Sequence, residues 1–386
     1  MTPGTTPAMA PDEFRGHFPA LADRVHLCSC SLGARSTELD AAMGQMLEDM
    51  TGGPRAWELF EDQAEQARRR FAALVGADPG QVALMPNASV GAYQIASTMD
   101  WSRRPRVVTT TMEFPSIAQV WLAQRQRGAE VVHAANQGEY LDLLDSRTKV
   151  VSVPLVTYQH ASRLPVAELA RAAHERGAHV FVDAYQAVGV QPVNVDELDC
   201  DFLVAGTMKY LLGLPGAAFL YVRSPELVDR APELTGWFGR RDPFAFDPTI
   251  LDFPPTAARY QTGTPAVAAC YAANTGLRLV EQIDLAAVRT HVLSLGELAA
   301  ERLTEQGERI AAPPPGQRGA HIGLADPDPA ALARRLGRRG IGVSPRGDVV
   351  RMSFHYYNNA EDVTALCDTV SAYRRAGTTN RSRVEW

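Results

Sequence analysis

The stretch from His179 to Val222 constrains this chain more than any other. It contains three short apolar runs, His179–Val182, Phe202–Val204 and Phe219–Val222, each bounded by turn residues, which read as buried strands. Two of them run into side chains that can do chemistry. Asp183 closes the first, Gln186 follows in the turn, and Lys209 lies just past the second. The chain has only two lysines, Lys149 and Lys209, against 36 arginines. Arginine stays protonated, whereas a desolvated lysine can lose its proton and become a nucleophile. A lysine kept where arginine is the rule is therefore a candidate for covalent chemistry. The plainer reading is a side chain snorkelling at a strand end.

A strand-end carboxylate, a nearby amide and a lysine beyond the next strand suit pyridoxal 5'-phosphate (PLP), which needs a lysine and an acid facing its ring nitrogen. The pattern D-A-x-Q at Asp183–Gln186, then Lys209 followed by a Gly/Pro-rich loop and F-L-Y-V, resembles the aminotransferase class V family of fold-type I PLP enzymes. That family includes cysteine desulfurases, kynureninases, isopenicillin-epimerase-like proteins and C–S lyases. The resemblance runs from about Val25 to Tyr373. It implies an α/β fold: a large PLP-binding domain over 25–275 with a mostly parallel, seven-stranded-type sheet, then a smaller α+β C-terminal domain over 276–376. Residues 1–24 form an N-terminal segment in this reading, and 377–386 a disordered tail.

Composition agrees with one large and one small domain. The chain has 386 residues, 46% of them hydrophobic, enough for a sizeable core. A net charge of −6 gives no footprint for nucleic acid. No apolar run reaches membrane length, and the first residues lack the regions of a signal peptide. Five scattered cysteines suggest reduced thiols and a cytoplasmic setting. Cys28 and Cys30 form only C-x-C, without a second pair at zinc spacing, so no metal is expected.

The resemblance assigns roles residue by residue. After a strand at Val82–Met85, Pro86–Gly91 turns into a helix, whose N-terminus offers N–H groups and the positive end of a dipole. Taken alone, Ser89 is a plain N-cap; the resemblance makes Ala88 and Ser89 phosphate ligands, with Thr207 a third. Phe114, in E-F-P-S, matches the aromatic that stacks on the cofactor ring. Asp183 faces the ring nitrogen, Gln186 the ring hydroxyl, and Lys209 carries the cofactor. Arg351, in VVRMSFHYYNNAED, matches the arginine that forks onto the substrate carboxylate. Ser31, in S-L-G, is similar to the kynureninase branch, where the segment folds over the site. Phe238, in GWFGRRDPFAF, belongs at the substrate entrance. Thr264, in R-Y-Q-T-G-T-P, is similar to the element that reaches the phosphate of a neighbouring subunit, implying a homodimer with shared active sites.

Three departures bear on the reaction. Tyr158 stands where the family usually has asparagine: it either donates a proton, positions substrate or packs. Met208 replaces the usual histidine before the lysine. Arg346 occupies the loop where cysteine desulfurases carry their nucleophile, either touching an acidic or bulky substrate group or sitting in solvent. His355 is a further pocket candidate. With no cysteine in V-S-P-R-G-D-V-V, a persulfide-forming desulfurase is disfavoured. The leading expectation is C–S β-elimination of a cysteine S-conjugate, with Lys209 as proton shuttle. Transamination, decarboxylating deamination, kynureninase-type hydrolysis and epimerisation are the alternatives. A non-catalytic ligand sensor would be expected to lack Lys209 and to add a basic DNA-binding segment.

Overall fold

Six strands running one way and one running against them make the central sheet. The computed structural model describes residues 8–381, with side chains to 375. In chain order the strands are β1 (Val82–Met85), β2 (Arg106–Thr110), β3 (Glu130–Ala134), β4 (Thr148–Pro154), β5 (His179–Asp183), β6 (Phe202–Gly206) and β7 (Ala218–Val222). Their order across the sheet is β1-β7-β6-β5-β4-β2-β3, and only β7 opposes its neighbours. The strands β5, β6 and β7 are buried throughout apart from the edge residue His179. Parallel strands covered on both faces read as continuous apolar runs for this reason.

Each face of the sheet has its own core. Along β5, Val180 and Val182 join one hydrophobic cluster and Phe181 the other, as the two-residue period requires. Helices α1 (Arg55–Val75) and α5 (Val267–Val280) pack together, the first stacking Phe71 on Phe219 of β7 at 4.4 Å. On the opposite side lie α2 (Ala88–Ser97) and α3 (Pro115–Ala123), where fully buried Trp121 meets Phe181 edge-on. Helix α4 (Val166–His174) covers β4 and β5. It is followed by Gly177 at φ 68, in the left-handed region where glycine is unstrained.

Helix α6 (Leu285–Glu305) leads to an antiparallel sheet of β8 (Ile310–Ala311), β9 (His321–Ala325), β10 (Ser344–Arg346) and β11 (Val349–Ser353), in the order β10-β11-β9-β8. Helix α7 (Pro329–Gly337) packs on it, and α8 (Ala360–Arg381) packs on α6 and α7; Asn359 caps α8 through Glu361 and Asp362 N–H. Helix α5 spans the expected domain boundary at 275/276, and α8 extends through the first part of the stretch expected as a tail. Residues 382–386 lie outside the described residues. The N-terminal segment, taken to Gly33, reaches the C-terminal part of the chain: Val25–His26 pairs in parallel with Ile341–Gly342. Its Gly33 N–H donates to the Met208 carbonyl at 2.8 Å. A Cβ on Gly33 would stand 2.4 Å from the Lys209 carbonyl, so only glycine lets this turn dock on the lysine loop.

Candidate active site

The C-terminal ends of β1 to β6 share one edge of the sheet, and in open α/β sheets that edge is where ligands bind. Three chemically active groups sit there because the chain turns there. Asp183 is the last residue of β5, Gln186 lies in the following turn, and Lys209 comes three residues after β6. A cavity of about 220 Å³ opens among them. Ala88, Ser89, Phe114, Tyr158, Asp183, Gln186 and Lys209 line it from the ends of the central strands and the turns that follow them. Ser31 enters from the N-terminal segment, and Arg346 and Arg351 from the β10–β11 hairpin.

Lys209 stands between two aromatic rings. Its Nζ lies 4.2 Å from the ring centre of Tyr185 and 5.5 Å from that of Phe114. Burial lowers its pKa to about 8, against a raising effect from Asp183. About a tenth of Lys209 is therefore a neutral amine at pH 7, against well under a thousandth for an ordinary lysine. This makes a testable pH dependence, because only the neutral amine is nucleophilic. Competitive reductive methylation of the two lysines, read by mass spectrometry, should show the Lys209 rate rising about tenfold from pH 7 to pH 9 and levelling off. Lys149, which does not line the cavity, serves as the internal reference. Its ammonium pairs with Asp229 at 2.8 Å outside the cavity.

Two buried acids underlie the slot. Asp183 accepts the Tyr185 N–H at 2.8 Å, and burial raises its pKa while that bond and Lys209 pull it down. Glu113 accepts the Phe114 N–H at 2.8 Å and leaves Oε2 without a partner. Burial first, and then the charge of Asp183, push Glu113 well above the carboxylate range. Of the two, Glu113 is pushed further toward its neutral form. Gln186 donates to the Cys30 carbonyl at 3.0 Å, and its Oε1 is buried without a partner.

At the other end Arg351 is almost wholly buried. Its guanidinium donates to the Tyr158 carbonyl at 2.6 Å and to Ser31 Oγ at 2.9 Å, while Ser344 also donates to Ser31 at 2.8 Å. Among the described residues no carboxylate lies within ion-pair distance of it. A buried cation held only by neutral oxygens is costly unless an anion arrives to pair with it.

Four expectations change. Thr207 is buried, and its hydroxyl turns to the carbonyls of Leu214 and Ala217 at 2.8 and 3.1 Å. It fastens the loop after Lys209 and does not line the cavity, since a buried hydroxyl donates to the acceptor within reach. His355 is a core residue: Nε2 donates to the Tyr210 carbonyl and Nδ1 accepts the Tyr356 N–H, which fixes its tautomer. The cap of α2 is Asn87, whose side chain accepts from Val90 N–H, so Ser89 occupies the first turn instead. With that bond made, the N–H groups of Ala88 and Ser89 have no intrahelical acceptor and sit at the cavity. Phe238, expected at the substrate entrance, lines a separate cavity of about 400 Å³ away from Lys209; Thr264, whose expected target is a neighbouring subunit's phosphate, lines that cavity too.

Sequence reasoning missed Tyr185, Glu113 and Cys30. Each left a signal: an aromatic inside D-A-x-Q, an acid directly before the stacking phenylalanine, and a cysteine directly before S-L-G. Tyr185 needs Gly206, where a Cβ would come 2.1 Å from the phenol.

The residues present fit PLP. The Phe114 and Tyr185 rings beside the Lys209 amine offer faces for a planar ring, the unpartnered amide oxygen of Gln186 and the Asp183 carboxylate supply polar contacts, and the α2 N-terminus suits a phosphate. Residues 42–366 match the family model of aminotransferase class V. The chain belongs to that family. It is accordingly a PLP-dependent enzyme. It is 32% identical to the uncharacterized aminotransferase YcbU of Bacillus subtilis, over 94% of this chain and 98% of the relative. It is 30% identical to a kynureninase of Pseudomonas fluorescens, covering 82% and 80%. A solved structure of C-DES with glycine covalently linked to its PLP cofactor superposes with a TM-score of 0.84 at 18% identity, covering 92% of this chain and 98% of that one. In this class V chain, Tyr185→Ala should weaken PLP binding by the apo-protein about 2- to 10-fold and shift the visible band, while Tyr185→Phe keeps both; fluorescence titration and absorbance spectra read this.

Proposed function

We propose that this class V enzyme is a C–S lyase that β-eliminates cysteine S-conjugates, converting conjugate and water to thiol, pyruvate and ammonia. The observation that carries the reading is Arg351, a buried cation with neutral partners only, on the far side of one cavity from a desolvated amine. That pair suits an α-amino acid. The carboxylate binds Arg351 and Ser31, which brings the α-hydrogen to the Lys209 amine as general base. When bound, PLP supplies the electron sink for the pair left on the α-carbon. Asp183, Gln186, Phe114, Ala88 and Ser89 hold it in this reading. In this reading Tyr158, which lines the cavity and packs edge-on against Phe114 at 5.3 Å, gives the departing sulfur its proton. C-DES, whose fold this chain shares, is a cystine C–S lyase.

A second reading has its own observation. The β10–β11 hairpin carries no thiol, yet Cys30 lines the cavity from the N-terminal segment. Sulfur transfer from cysteine to Cys30 would leave alanine and a persulfide. A product assay on the PLP-loaded protein separates the readings. Pyruvate with free thiol from S-alkyl cysteines supports the lyase. Alanine with persulfide on Cys30 replaces it by the second reading. Pyridoxamine phosphate without pyruvate, carbon dioxide release, anthranilate from kynurenine, or loss of chirality alone would each overturn it in favour of transamination, decarboxylation, hydrolysis or epimerisation.

The same reading includes a homodimer. Thr264 is exposed and lies outside the Lys209 cavity, and Trp57, Phe244, Phe246, Ile250 and Leu251 are large apolar side chains left at the surface. A second copy covering them would bring Thr264 to its partner's phosphate. Light scattering at twice the chain mass supports this, and the mass of a single chain contradicts it.

A further inference from the structure

We propose that Arg346 makes the cavity selective for amino acids whose side chain ends in a second anionic group, so that the preferred cysteine conjugate carries a carboxylate or similar oxyanion on its S-substituent. The inference rests on the lyase reading only for the word cysteine. Its basis is the hairpin. In the register of β10 with β11, Ser344 lies opposite Arg351 and Arg346 opposite Val349. Directly opposed residues share a face, and so do residues two apart, which puts Ser344, Arg346 and Arg351 on one face. Both guanidiniums line the Lys209 cavity. Beyond burial, both act to lower the pKa of Lys209, Arg351 more than Arg346.

The charge at this end is unmatched. Arg346 donates only to the neighbouring Pro345 carbonyl at 2.8 Å, and among the described residues neither arginine has an acid within ion-pair distance. The acids of the cavity, Asp183 and Glu113, belong to the strand ends that carry the ring slot. One substrate carboxylate answers Arg351, and a second cation remains. The turn that follows Arg346 is held in place as well, and the side chain itself is exposed. Gln159 donates to Asp348 at 3.1 Å, and its amide lies under Gly347, where a Cβ would come within 2.6 Å and φ is 55. The tight turn thereby presents Arg346 from a fixed hairpin next to the segment bearing Tyr158.

The test uses two conjugates of one shape and different charge, S-carboxymethylcysteine and S-carbamoylmethylcysteine, with the PLP-loaded enzyme. The expected result is a preference of about tenfold in kcat/KM for the charged conjugate. Arg346→Gln should bring the ratio close to one, and Arg346→Lys should keep part of it. Equal use of both by the wild type, or a ratio that survives Arg346→Gln, overturns the proposal. A turnover-free readout runs beside it: calorimetric binding of glutarate against glutaramate, with the same preference and the same loss expected. An Arg346-dependent glutarate preference without pyruvate from either conjugate would sink the lyase reading and leave this inference standing. Pyruvate formed equally well from both conjugates would do the reverse.

Discussion

Replacing Lys209 by alanine should remove at least about a thousandfold of the turnover while leaving the fold intact. The amine is assigned two tasks, holding the cofactor and moving the α-proton, and general acid–base work alone contributes about 10²- to 10⁴-fold. Stability should not suffer. Burial is the chief reason its pKa falls to about 8, so folding is opposed by the desolvated charge at neutral pH. The sign follows from linkage: with the folded value below the unfolded one, the unfolded chain binds more protons between pH 8 and 10.5. The wild type therefore gains stability as pH rises through that window, and Lys209→Ala should lose this slope. Denaturant titrations of both apo-proteins at pH 7.5 and pH 10 check it, together with a turnover assay. An apo wild type with no such gain would contradict a desolvated lysine.

Arg351→Gln should cut kcat/KM by about 30-fold or more, mostly through KM. Losing one partner of a desolvated charge pair with a ligand costs about 2–5 kcal/mol. Arg351→Lys should rescue little, because an ammonium cannot fork onto a carboxylate. The ligand-free protein should respond differently. Its guanidinium faces the Tyr158 carbonyl and the Ser31 hydroxyl and no acid. Removing it therefore strands no buried anion, and the loss of about 3–5 kcal/mol typical of a broken buried ion pair should be absent. Chemical denaturation beside steady-state kinetics reads both halves. A collapse in stability matching the loss of activity would make Arg351 a structural residue.

What could be read from the sequence was what is local in it. The runs around Asp183 and Lys209 announce strands by their apolar content, and strand order then carries Asp183, Gln186 and Lys209 to one edge. Gly177 ends a helix as its residue type dictates, and an asparagine at 358 or 359 starts one, the structure choosing Asn359. The rest depended on who stands opposite whom. Thr207 follows the family spacing, but only the path of the Gly213–Ala217 loop brings carbonyls to its hydroxyl. His355 sits in a polar-looking motif, yet its ring packs against Phe14 and Tyr357. Tyr185 reads as one more aromatic until Gly206, far along the chain, proves to be the gap it fills. Cys30 enters the cavity because the N-terminal segment pairs with Ile341–Gly342, a contact of very long sequence separation that no local pattern encodes.

The central claim is that Lys209 carries the cofactor in this cavity, and the two-lysine composition makes it simple to test. PLP-loaded protein would be reduced with borohydride, digested and mapped by mass spectrometry. The account predicts the pyridoxyl mass on the Lys209 peptide, an unmodified Lys149 peptide, and loss of the label in Lys209→Ala. Label on Lys149, or labelling that persists without Lys209, would contradict it.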